Sequence, residues 1–186
     1  MSFIPLGVLA ASGAGGAAPA FESIATAAGS GSSVTLSSIP STYSHLQIRG
    51  VNYFTGSDYR WLGIRMNGDT GNNYSAHWML GDSNSNVYAN GTASYDNVRY
   101  WNSLVPSSDY GIAFIIDILD YASTSKYKTV KIFAGQNDNN ADNAGLVYLG
   151  SGLWQSTAAI SSLTFLNSTG SFSPTGTTWG LYGIKG

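Results

Sequence analysis

The chain contains no cysteine, which excludes disulfide bridges and thiolate-held metal centres together. Charge is nearly as scarce. Asp, Glu, Lys and Arg make up 10% of the 186 residues, against about 25% in an average soluble domain. The eight basic residues are scattered and the net charge is −2. No basic stripe exists to neutralise a phosphate backbone, so nucleic-acid binding is not expected. Glutamate occurs only as Glu22, and His45 and His77 are the two histidines. A zinc site needs about three or four such ligands at workable spacing, and neither histidine has a second one nearby. Helical periodicity is also missing: no stretch beyond residue 20 repeats its apolar positions every 3.6 residues over ten or more positions. The apolar opening FIPLGVLAA (3–11) is interrupted by Pro5 and Gly7, and no Lys or Arg precedes Arg49. It is far shorter than the ~20 residues that span a bilayer, and a secretory signal would carry a positive leader. Neither export nor membrane insertion is expected.

What the chain does have is aromatic bulk and uncharged polarity. Aromatics reach 13%, with five Trp and twelve Tyr, and hydrophobic residues 43%. That is too much for disorder. Ser, Thr, Asn and Gly supply the polar surface, and such side chains can be packed into an interface without desolvating ions, the costly step in association. The composition therefore suits a member of a tight assembly, although a Ser/Asn-rich exported domain has a similar profile.

Two regions are expected. Residues 1–20 form an extended N-terminal arm, apolar at Phe3, Ile4, Leu6, Val8 and Leu9 and then dissolving into Ala, Gly and Ser. An apolar tip on a flexible stem has no use in a free monomer, and it reads as a partner-binding arm. Residues 21–186 form one β-sandwich domain. Period-two alternation marks strands at His45–Arg49, Arg60–Asn67, Lys128–Phe133 and Ser162–Phe165. Gly111–Leu119 (GIAFIIDIL) is a continuous apolar run and reads as a strand buried on both faces, with Asp117 hydrogen-bonded if it is buried. Gly, Asn and Asp punctuate the runs wherever positive-φ turns are needed. Short strands with this punctuation predict an all-β, jelly-roll-like antiparallel sandwich.

The candidate chemistry is thin. The loops at Asn67–Asn73 and Gln136–Asp142 are rich in oxygen donors, but neither matches a calcium-loop spacing, and turn chemistry accounts for both. Asp117 and Asp120 point to opposite faces if extended, unlike a glycosidase pair about 5–10 Å apart across a cleft. No G-x-S-x-G elbow occurs. The N-x-S/T triplets at Asn73, Asn90 and Asn167 are read as turns. The best surface patch is YDNVRYW (95–101), read as a loop in which Tyr95, Tyr100 and Trp101 contact a glycan or a subunit. Against that, such rings commonly fill a core. No catalytic residue, metal or cofactor is expected.

Several strings resemble a family of tailed-bacteriophage virion structural proteins common in phages of aquatic bacteria, cyanophages included. They are SSIPSTYSHLQIRG (37–50), MNGDTGNNYSAHW (66–78), IDILDYASTSKYKTV (116–130), SGLWQSTAAISSLTFL (151–166) and WGLYGIKG (179–186). The resemblance covers Phe21 to Gly186. It implies a sandwich carried on the outside of a virion, as a capsid decoration (cement) protein or a tail fibre or spike component, and it brings no catalytic motif. The arm favours decoration. The expectation is then a homotrimer made in the host cytoplasm, placed on the capsid exterior and clamping the major capsid protein, with a tail-borne module recognising bacterial surface glycan as the alternative.

Overall fold

The computed structural model describes residues 19–55, 59–104, 111–137 and 145–185. The arm residues Phe3, Ile4, Leu6, Val8 and Leu9 lie outside the described residues. The described chain is all β. Its first six strands are β1 (Phe21–Ala28), β2 (Ser33–Leu36), β3 (His45–Asn52), β4 (Tyr59–Met66), β5 (Tyr74–Asp82) and β6 (Val87–Tyr95). Then follow β7 (Val98–Leu104), β8 (Ile112–Leu119), β9 (Lys128–Asn137), β10 (Gly145–Trp154), β11 (Leu163–Asn167) and β12 (Thr178–Ile184).

They form two antiparallel sheets, one of eight strands in the order β1-β12-β3-β8-β9-β10-β5-β6 and one of four in the order β2-β11-β4-β7. Setting aside the hairpins β5–β6 and β9–β10 leaves eight strands whose first-to-last order is 1-8-3-6 in one sheet and 2-7-4-5 in the other. That is the jelly-roll winding. The two hairpins extend the first sheet beyond β8, so one layer of the sandwich is twice as wide as the other.

Alternating side chains fill the space between layers. Leu46 and Ile48 of β3, Ile116 and Ile118 of β8, and Val130 and Ile132 of β9 meet Leu62, Ile64 and Met66 of β4 and Leu163 and Phe165 of β11, all buried. Aromatic rings close the ends. Trp179 stacks on Phe165 with centroids 5.1 Å apart and receives the edge of Phe172 at 5.0 Å. Lys128 is fully buried where β9 begins, its ammonium donating to the carbonyls of Ser123 and Lys126 at 2.7 and 2.6 Å. Those carbonyls answer the burial of its charge.

The run 111–119 does form a strand, β8, but only one of its faces is buried. Ile112, Phe114, Ile116 and Ile118 point inward, while Ala113, Ile115 and Leu119 are exposed. Its continuous apolarity arises because the outward face is itself apolar, and this feature extends across the wide sheet. Asp117 on that face is half-buried and accepts a hydrogen bond from Gln47 Nε2 at 2.7 Å.

Candidate functional site

The two outer faces of the sandwich differ in chemistry. On the narrow sheet, Thr35, Thr164 and Arg65 lie in one cross-strand row. The two threonine hydroxyls hydrogen-bond at 2.9 Å, and Arg65 pairs with Asp96. On the wide sheet, the register aligns Ile115, Phe133, Leu149 and Met79 across β8, β9, β10 and β5. They are exposed to 38, 50, 46 and 48% respectively. Val147 and Val87 flank the row on either side of Gly81 and are exposed as well. Contiguous apolar side chains on a solvent face mark a surface that meets something.

At its other end the same face sinks into a groove of about 1230 Å³. Its floor is made of small residues, Ala113, Gly135 and Gly180 among them, and its walls include Phe133, Tyr182 and Tyr53. Among the described residues, Arg49 is the one charged residue lining it. The side chain of Arg49 is held on three sides. Its Nε donates to Gln47 Oε1 at 2.6 Å, and its guanidinium lies 5.6 Å from the Phe21 ring centroid and 5.8 Å from that of Tyr182. Asp117 fixes the Gln47 amide. A carboxylate can only accept, so the amide turns its nitrogen to Asp117 and its oxygen to Arg49.

The patch expected at Tyr95, Tyr100 and Trp101 is not a surface loop. Tyr95 ends β6, and Tyr100 and Trp101 are strand residues of β7, both fully buried. A β-bulge explains the pair. Leu62 faces Trp101 and the next residue, Gly63, faces Arg99, so Tyr100 is the extra residue and both rings turn into the core. The Tyr100 hydroxyl accepts a hydrogen bond from Asn52 Nδ2 at 2.8 Å, and burial pushes its phenol up. Trp101 packs against Tyr148. Neither can stack on a glycan. Tyr95 is half-buried and lies under the Arg99 guanidinium, 4.2 Å from its ring centroid.

Every carboxylate among the described residues has a structural partner. Glu22 meets Lys185 and Tyr43, Asp96 meets Arg65, Asp117 meets Gln47, and Asp120 meets Lys126. Asp82 accepts from the backbone of Asn84 and Asn86. In the Asn67–Asn73 loop, Asp69 accepts from Asn73 Nδ2, Gly71 N and Trp154 Nε1 at 2.8–2.9 Å. These donors, the Asn73 amide first, hold its carboxyl below the ordinary value of 3.8. A lowered carboxyl stabilises the fold above its unfolded pKa, and that contribution fades as pH falls through the folded value. The melting temperature is therefore expected to fall more steeply below pH ~4 in the native protein than in Asp69→Asn, with the gap between the two narrowing in acid.

His45 accepts from the Asp120 amide through Nδ1 at 3.2 Å. Among the described residues no group of three or more His, Asp or Glu converges on a metal position. Of the Gln136–Asp142 loop, only Gln136 and Asn137 are described.

No protein-family model matches the chain, and no curated protein does. Among solved structures it is similar to a xylan β-1,4-xylosidase from Bacillus halodurans C-125, at 10% identity and a TM-score of 0.35. The similarity covers 83% of this chain and 33% of that one, so the chain spans about a third of that enzyme's length.

Proposed function

We propose that this chain is a non-catalytic structural protein of a phage particle, of the capsid-decoration kind, and that it attaches through the outer face of its wide sheet. The observation that carries this reading is the apolar row Ile115–Phe133–Leu149–Met79, continued by Val147 and Val87. The row itself carries no charge, although Asp117 and Lys131 stand in the next row of the same face, and the carboxylates of the described residues are each engaged by a structural partner. The family resemblance supplies the particle, with the major capsid protein and sister subunits of a trimer as partners and the arm Phe3, Ile4, Leu6, Val8 and Leu9 as a second point of attachment.

The test is a double substitution at the far end of the row. Met79→Asp with Leu149→Asp changes two half-exposed side chains, so the β circular-dichroism signal is expected to persist while incorporation into particles is lost. Retained incorporation would sink the reading. A second reading, a tail-borne module recognising bacterial surface glycan, is favoured by the groove around Arg49. Quantitative mass spectrometry of purified particles separates the two by copy number: a number on the scale of the coat protein indicates decoration, and one on the scale of the tail proteins indicates the second.

A further inference from the structure

We infer that the groove between β1 and β10 is a binding site for an acidic saccharide, with Arg49 receiving a sugar carboxylate. This deepens the glycan reading and rests on it. The groove shares Ile115, Phe133 and Val147 with the docking face, but its test is made on the free chain and so is read separately from docking onto a coat protein.

The first argument is the state of Arg49. Its Nε is used by Gln47, its guanidinium lies beside Phe21 and Tyr182, and the residue lines the groove, while among the described residues no acceptor is bonded to its two terminal nitrogens. Among the described residues no carboxylate lies within ion-pairing distance of it, whereas Arg65, Lys126 and Lys185 each have one. Two parallel N–H groups on a pre-set guanidinium match the two oxygens of a carboxylate. A cation on an apolar floor, with no acidic residue among the described residues that line the groove, leaves the negative charge to the ligand.

The second argument is the shape and chemistry of the walls. The Tyr182 ring packs against Gly180, where a Cβ would come within 3.0 Å of it. Phe133 stands half exposed on the opposite wall. Rings on two sides of a shallow floor present faces to the C–H faces of a sugar. Thr26 and Thr178 add exposed hydroxyls at the β1 side. At Gly135 a Cβ would meet nothing nearer than the Leu146 carbonyl at 3.6 Å, so the space above the floor is open.

The third argument excludes the competitors. An extended peptide gains affinity by adding to a free sheet edge, but β12, β3, β8 and β9 beneath the groove each have a strand on both sides, and the open edge of β1 is turned away from β12 and Arg49. A nucleic acid would need several cations along its backbone, and the described residues lining this groove include one. A saccharide needs neither.

The test titrates the full chain with hexamers of galacturonate, mannuronate and guluronate, and with neutral hexamers of glucose and galactose, followed by calorimetry and NMR shifts. At least one uronate is expected to bind, with neutral hexamers weaker. Arg49→Gln is expected to reduce affinity at least about tenfold, as loss of a charge-assisted pair does, and Arg49→Lys to recover part of it. Gly135→Leu, which fills open space and leaves the sheet intact, is expected to block binding without touching Arg49. Absence of binding to every uronate, equal affinity for neutral hexamers, or uronate binding unchanged in Arg49→Gln would each overturn the assignment. The particle-incorporation assay is read separately, so failure here leaves the docking row standing, and failure there leaves the groove.

Discussion

Trp179→Ala is expected to destabilise the protein by about 3–5 kcal/mol, the range for deleting a large aromatic from a packed core. For a domain of this size the melting temperature should drop by roughly 6–20 °C. The position concentrates several contributions. Trp179 is 1% exposed, stacked on Phe165 and met edge-on by Phe172. It lies on β12, between β1 and β3, and so ties the wide sheet to β11 of the narrow one. Neighbours on interior strands cannot collapse into the void without breaking ladders on either side. Trp179→Phe, which keeps a ring, should cost less than Trp179→Ala. Leu149→Ala on the outer face serves as the control and should stay within about 0.5 kcal/mol. Denaturant unfolding followed by far-ultraviolet circular dichroism gives all three values. A Trp179→Ala protein as stable as the control would refute the account of the core.

Asn67→Ala is expected to cost about 2–4 kcal/mol, although residue 67 is only half-buried, because it removes two separate contributions. The first is bonding. Asn67 Nδ2 donates to the Ala159 carbonyl at 2.8 Å, and its Oδ1 accepts from the amides of Ser161 and Ser162 at 2.8 and 3.1 Å. One side chain thus pins the segment leading into β11 to the end of β4. The second is conformation. Asn67 has φ of 53°, a region Asn tolerates and Ala does not. Asn67→Gly should recover the backbone share and none of the bonding, and Asn67→Asp should keep the acceptor while losing the donor. The expected order of stability is therefore native, Asp, Gly, Ala, and a stability series with Ala above Gly would contradict it.

The strands that could be read in the sequence are those with one polar face. His45–Arg49, Arg60–Asn67, Lys128–Phe133 and Ser162–Phe165 alternate strictly and lie within or across β3, β4, β9 and β11. GIAFIIDIL misled on burial because periodicity reports the contrast between two faces, and here Ile115 and Leu119 on the open side are as apolar as Ile116 and Ile118 beneath them. YDNVRYW misled for a different reason. The bulge at Tyr100 shifts the alternation by one within a strand, and period-two reading cannot see an extra residue whose partner lies on β4. The groove was invisible for a third. Arg49 and Gln47 were legible as outward residues of one strand, but Asp117, Tyr182 and Phe133 reach them only through the pairing of β3 with β8 and β12 and of β8 with β9. Register between distant segments is a tertiary property, and no local signal carries it. An outward arginine on a strand whose other outward positions lack an acid was the one clue available.

The winding has a consequence for synthesis. In each sheet an interior place is taken by a late segment: β12 sits between β1 and β3, and β11 between β2 and β4. While the ribosome still holds the last third of the chain, the earliest strands have gaps where their central neighbours belong. Assembly must wait until β11 and β12 have been made and have emerged, and the nascent chain needs shelter for its unpaired edges until then.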